Sequence, residues 1–129
     1  MMMENLEIEG SHKNFFVPTV NFNAKTGICE ITGESFLEDT VDFYRNLTDW
    51  IEDYIDEVQG PLAFIIKLSY FNTSTSRSIL DILNLLKDYE DEGGEIVVNW
   101  HYDEVDIDME EDIDDYIIDT GLDIYKIPY

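Results

Sequence analysis

The densest concentration of reactive side chains lies at Asn72-Thr73-Ser74-Thr75-Ser76-Arg77, between the apolar run "LAFIIKLSYF" and the aliphatic stretch "SILDILNLL". Four consecutive hydroxyls can serve three chemistries: nucleophilic attack, phosphate acceptance or helix capping. Nucleophilic attack requires a base, and His12 and His101 are the only imidazoles. A Ser74–His101 pairing is conceivable, which makes a small hydrolase or transferase one reading. However, the Gly-x-Ser-x-Gly elbow that exposes a serine nucleophile is missing. Capping by Ser74 or Thr75 satisfies one free N–H of a helix's first turn, worth about 1 kcal/mol, and accounts for one hydroxyl or two. Phosphate acceptance suits the position. A loop leaving the carboxyl end of a strand and entering a helix is where α/β folds place ligands, and helix N–H groups there favour an added anion. Arg77, among only seven basic residues, is placed to pair with it. On spacing alone Thr73, Ser74 and Thr75 are equivalent acceptors.

Other constellations carry less. "DEVDIDMEE" alternates carboxylates at Asp106, Asp108 and Glu110 but lacks the glycine and terminal glutamate of a calcium loop. It reads as a solvated acidic face within 103–119, and no metal or cofactor is expected. Cys29 is alone and reads as a strand core residue, with no zinc-ligand spacing or internal disulfide.

Thirty acids against seven bases give a net charge of −23 over 129 residues. Such a surface repels phosphate backbones and anionic headgroups, which argues against nucleic-acid and membrane binding, and it attracts cationic partners. The hydrophobic fraction of 44% suits a folded globule. A lone cysteine, an acidic start and no run long enough to span a bilayer lead us to expect a cytoplasmic protein.

The elements that must position the hydroxyl cluster follow from periodicity. Two short strands flank "AKTG", with Gly33 as a stop. Val41, Tyr44, Leu47, Trp50, Ile51, Tyr54, Ile55 and Val58 recur at helical spacing over 39–58, ended by Gly60-Pro61. Residues 62–71 read as a strand buried on both faces, implying packing on both sides or a parallel neighbour. A helix over 75–90 stops at Gly93-Gly94, a strand covers 95–102, a short helix 110–119 and a last strand 122–127. The first thirteen residues read as a poorly determined arm. The order β-β-α-β-α-β-α-β predicts one α/β domain with a mixed sheet of about five strands and helices packed on it.

"YFNTSTSRSILDILNLL" followed by "GGEIVVNWHYD", with "LTDWIEDYI" upstream, resembles the SiaC family of bacterial regulatory phosphoproteins, whose fold is similar to the STAS domains of anti-sigma-factor antagonists. The resemblance covers about residues 18–127. It implies a non-enzymatic switch in which the threonine of Asn-Thr-Ser, here Thr73, is the phosphoacceptor. Asn72, Ser74, Thr75 and Arg77 would shape the loop and its kinase contact, and Trp100, His101 and Tyr102 become candidate partner contacts. It also implies a partner kinase, a PP2C-type phosphatase and an effector. In the family's best-known branch that effector is a diguanylate cyclase of cyclic-di-GMP and biofilm signalling, which the unphosphorylated form binds and activates. A plain STAS-like antagonist in a partner-switching system is the alternative.

Overall fold

The computed structural model describes residues 3–13 and 15–129. The alternation of short apolar runs and amphipathic stretches resolves into β1 (Leu6–Ile8), β2 (Thr19–Phe22), β3 (Ile28–Ser35), α1 (Thr40–Glu57), β4 (Leu62–Phe71), α2 (Thr73–Asp91), β5 (Ile96–Tyr102), α3 (Ile107–Thr120) and β6 (Ile124–Pro128). The strands lie in sequence order, β1 to β6, in one sheet. The β1–β2 and β2–β3 pairs are antiparallel, and β3 to β6 run parallel. The sheet is therefore mixed, as expected, with six strands rather than about five.

The additional strand comes from the segment expected as an arm. Met1 and Met2 lie outside the described residues. Leu6, Glu7 and Ile8 pair with Phe22, Asn21 and Val20. Side-chain hydrogen bonds hold this edge: Trp50 Nε1 donates to the Glu4 carbonyl at 2.9 Å, and Ala24 N–H donates to Asn5 Oδ1 at 2.8 Å. A three-residue strand has too short a pattern to announce itself, and its order comes from these distant partners. Gly33 likewise does not stop β3. With φ at +107°, it sits where the β3–β4 register shifts by one residue, and the strand continues to Ser35.

Each parallel connection carries one helix, and crossovers of one hand between successive neighbouring strands put α1, α2 and α3 on one side of the sheet. Burial agrees. Leu62, Phe64, Ile66 and Leu68 of β4 are sealed, whereas Ala63 and Ile65 are half-buried and Lys67 is exposed. The expectation that 62–71 is buried on both faces is thus corrected. β4 has two parallel neighbours, but helices cover only one face. The apolar run misled because Ala63 and Ile65 are flanked by β3 and β5 within the sheet, and that shelters them without any covering layer.

The core fills the space between sheet and helices. Trp50 stacks on Tyr54, with ring centroids 5.4 Å apart and planes 20° from parallel, and Trp100 stacks on Tyr116 at 5.5 Å and 21°. Leu47, Ile51, Leu83, Leu86 and Ile113 close around them with no solvent exposure. Each such side chain contributes roughly 1.5–3 kcal/mol through removal from water.

Candidate functional site

The hydroxyl cluster opens α2 rather than preceding it. Asn72 holds extended backbone (φ −85°, ψ 176°), and its side-chain oxygen accepts from Thr75 N–H at 3.0 Å. Asn72 is therefore the N-cap. The expectation that Ser74 or Thr75 caps the helix is corrected, because both lie inside the first turn. Thr73 is the first helical residue and is exposed, as are Ser74 and Arg77.

Thr75 points the other way. It is fully buried, with Oγ1 2.8 Å from Ser35 Oγ, which is in turn 2.9 Å from Tyr44 Oη. Three hydroxyls from β3, α1 and α2 thus satisfy one another beneath the start of α2. Burial pushes the Tyr44 phenol up to about 12, the bonds to Ser35 and Thr75 opposing the shift, so it stays neutral and can both donate and accept. Thr75 cannot contact a kinase from this position, and that expectation falls. Its role is to moor the helix end that displays Thr73. A Thr75→Val variant keeps the shape but leaves buried hydroxyls short of a partner, and we expect it to cost about 1–3 kcal/mol, read as a lower denaturation midpoint at constant m-value.

Above this mooring, the three helices form a groove of about 770 Å³. Thr73, Ser74, Ser76, Arg77 and Asp81 of α2 form its floor, Val41, Tyr44, Arg45 and Thr48 of α1 one wall, and Asp112, Asp115, Tyr116 and Asp119 of α3 the other. Tyr116 Oη lies 2.9 Å from Ser76 Oγ and donates to the Ser76 carbonyl at 3.0 Å, tying the third helix to the floor.

The walls differ in charge. Arg45, the residue that sequence reading missed, pairs with Asp42 at 2.9 Å on the rim. No local pattern links residue 45 to residue 73; only the packing of α1 beside α2 does. The opposite wall is acidic. Asp112 is held above the usual carboxylate range, first by partial burial and then by repulsion from Asp115, Asp108, Asp106 and Glu111. A raised carboxyl pKa means that the folded state binds the proton more tightly than the unfolded chain does. Stability should therefore fall as pH rises from the ordinary aspartate value of 3.8 upward. We expect Asp112→Asn to gain no more than about half a kcal/mol at pH 7, solvent screening limiting the effect. The gain should vanish below pH ~4, as paired denaturation curves would show.

The remaining sites resolve by strand alternation. Trp100 and Tyr102 face inward. Trp100 is fully buried, and Tyr102 Oη donates to Glu110 at 3.0 Å. Neither offers a surface to a partner, which corrects that expectation. His101, between them, is half-buried and faces the uncovered side of the sheet, away from α2. It therefore forms no triad with Ser74. Asp106 spends its carboxylate as the N-cap of α3, accepting from Met109 N–H at 3.0 Å, so that helix begins three residues earlier than its periodicity suggested.

The chain is similar to known proteins over almost its whole length. It is 30% identical over 101 residues, 78% of either chain, to an uncharacterized protein of Pseudomonas aeruginosa strain UCBPP-PA14. The crystal structure of apo-SiaC from Pseudomonas aeruginosa superposes with a TM-score of 0.87 at 26% identity, covering 97% of this chain and 99% of that one. A chain in the structure of the diguanylate cyclase SiaD in complex with its activator SiaC, from the same organism, gives 0.88 at 25% identity, covering 96% and 99%. The family model for SiaC family regulatory phosphoproteins matches residues 8–129. With sequence, fold and family model in agreement over that span, the chain belongs to the SiaC family of regulatory phosphoproteins.

Proposed function

We propose that the protein is a cytoplasmic signalling switch that acts by binding rather than catalysis, with Thr73 as its phosphoacceptor. The observation that carries this reading is the contrast within one helical turn: Thr73 is exposed in a groove, while Thr75, two residues on, is sealed. A kinase can reach only the former. In the transfer, Thr73 Oγ1 attacks the terminal phosphorus of a nucleoside triphosphate. The bond to the diphosphate leaving group breaks, and the hydroxyl proton passes to the kinase's base. A metal-dependent phosphatase of the PP2C type would reverse the change by hydrolysis. Asn72 and Ser74 present the acceptor to both enzymes.

The unphosphorylated groove is the docking surface for the effector. SiaC, which shares this fold and about a quarter of its residues with the chain, is an activator seen in complex with the diguanylate cyclase SiaD. That supports a diguanylate cyclase as effector here, and with it a role in cyclic-di-GMP signalling. An anti-sigma-factor partner, which the STAS-like architecture would also suit, is the second reading.

Phosphorylation by the cognate kinase followed by peptide mapping tests the assignment. Wild type should gain one phosphoryl group on Thr73, and Thr73→Ala should gain none. Modification confined to Ser74 would move the switch to that residue and overturn the assignment.

A further inference from the structure

The chain contains two arginines among its seven basic residues, and both line the groove that holds Thr73. The five lysines, at 13, 25, 67, 87 and 126, lie outside it. Arginine differs from lysine in presenting a planar fork that grips a phosphate through paired hydrogen bonds. The two guanidinium groups come from different helices, Arg45 from α1 and Arg77 from α2. Arg45 is held by Asp42 on the rim, where both side chains are well over half exposed. A pairing that open is worth at most about 1 kcal/mol and yields readily to a dianion. Arg77 makes no ion pair among the described residues, although Asp81 follows it by one turn.

Building on Thr73 as the modified residue, we propose that Arg45 and Arg77 form a two-arginine clamp that receives the phosphate, Arg45 leaving Asp42 to do so and bridging α1 to α2 across the groove. The resting protein keeps the clamp open because a neutral hydroxyl cannot compete with Asp42. After modification the dianion outbids that carboxylate, and the wall of α1 is tied to the floor at the point where an effector would enter. Arg45 is then a positioning residue of the switch: it makes no contact with the Thr73 hydroxyl's reaction, and it determines what the product does.

Phosphothreonine placed at 73 by genetic encoding provides the test without any kinase. The phosphate's second ionisation is followed by ³¹P NMR against pH. The charged groups that line the groove are Arg45 from α1, Arg77 and Asp81 from α2, and Asp112, Asp115 and Asp119 from α3, with Asp42 of α1 paired to Arg45. The carboxylates raise the phosphate's pKa and the arginines lower it, so differences between variants are the readout. Arg45→Gln and Arg77→Gln should each raise the apparent value by at least about half a unit. Arg45→Lys should fall between Arg45→Gln and wild type, and Asp42→Asn, which releases Arg45, should lower the value. Both arginine positions are exposed, so thermal unfolding should confirm an intact fold. If Arg45→Gln leaves the titration within roughly a tenth of a unit of wild type, where a neighbouring opposite charge would shift it far more, the clamp is wrong. That result would leave the Thr73 assignment standing, because peptide mapping reads the assignment independently. Conversely, a clamp seen by NMR in a protein whose Thr73 no kinase modifies would uphold the geometry and remove the switch.

Discussion

Phosphothreonine at position 73 is expected to weaken effector binding by at least about 100-fold, or roughly 2.7 kcal/mol, relative to the unmodified protein. The groove's lining is mixed: exposed Val41 and half-buried Leu80 offer apolar contact, and Thr73 lines the same groove. A partner that covers a hydroxyl pays about 1–3 kcal/mol if it supplies no hydrogen bond, and little if it does. Covering a dianion costs several kcal/mol more unless every oxygen is met. Simple charge repulsion is a poor account of the block, since a chain at −23 already favours cationic partners and two further charges would attract them. Desolvation and the lost freedom of the arginines both act in the blocking direction. Titration calorimetry of the two forms against a diguanylate cyclase of the kind SiaC activates measures the ratio directly. Equal affinities within about threefold, less than 1 kcal/mol, would dismiss the mechanism. Thr73→Ala should bind as wild type does, because it removes the acceptor without adding charge.

The second large effect is on folding. Trp100→Ala should cost about 3–5 kcal/mol, a large share of the 5–15 kcal/mol that holds a typical domain together. Trp100 lies under the junction of α3 and the sheet, stacked on Tyr116 and 6.2 Å from the Phe71 ring. Its removal opens a void beneath the residue whose hydroxyl ties α3 to Ser76, so the groove should lose its acidic wall before the whole fold is lost. Trp100 Nε1 finds no acceptor among the described residues. An unpaired buried N–H is a penalty carried only by the folded state. Trp100→Phe, which deletes it while keeping an aromatic ring, should therefore cost much less than Trp100→Ala. Urea melts of the two variants, with the Tyr116–Ser76 contact followed by amide exchange in α3, would separate the packing and polar contributions. If the two variants were equally destabilised, stacking would not be what Trp100 supplies.

Much of this architecture could be read from the chain. The eight-residue apolar stripe from Val41 to Val58 and the run from Leu62 to Phe71 fall on α1 and β4 almost to the residue. In both, a long element repeats one pattern many times. The places where reading failed share the opposite property. Every residue from Asn72 to Ser76 is a competent cap, so sequence offers five starts for α2, and the choice is made by Ser35 and Tyr44, some forty and thirty residues away. Trp100 and Tyr102 are aromatic and prominent in sequence, yet strand alternation turns both inward and leaves His101 outside. Arg45 carried no signal at all. Its importance is a property of which helices lie side by side, and that is set by strand order.

One turn of α2 thus works as an address. Thr73 and Thr75 are the same amino acid in almost the same context, yet rotation about the helix axis gives one to the solvent and commits the other to the frame. An enzyme acting on this turn would need no local-sequence discrimination between the two threonines, because the fold has already withdrawn Thr75.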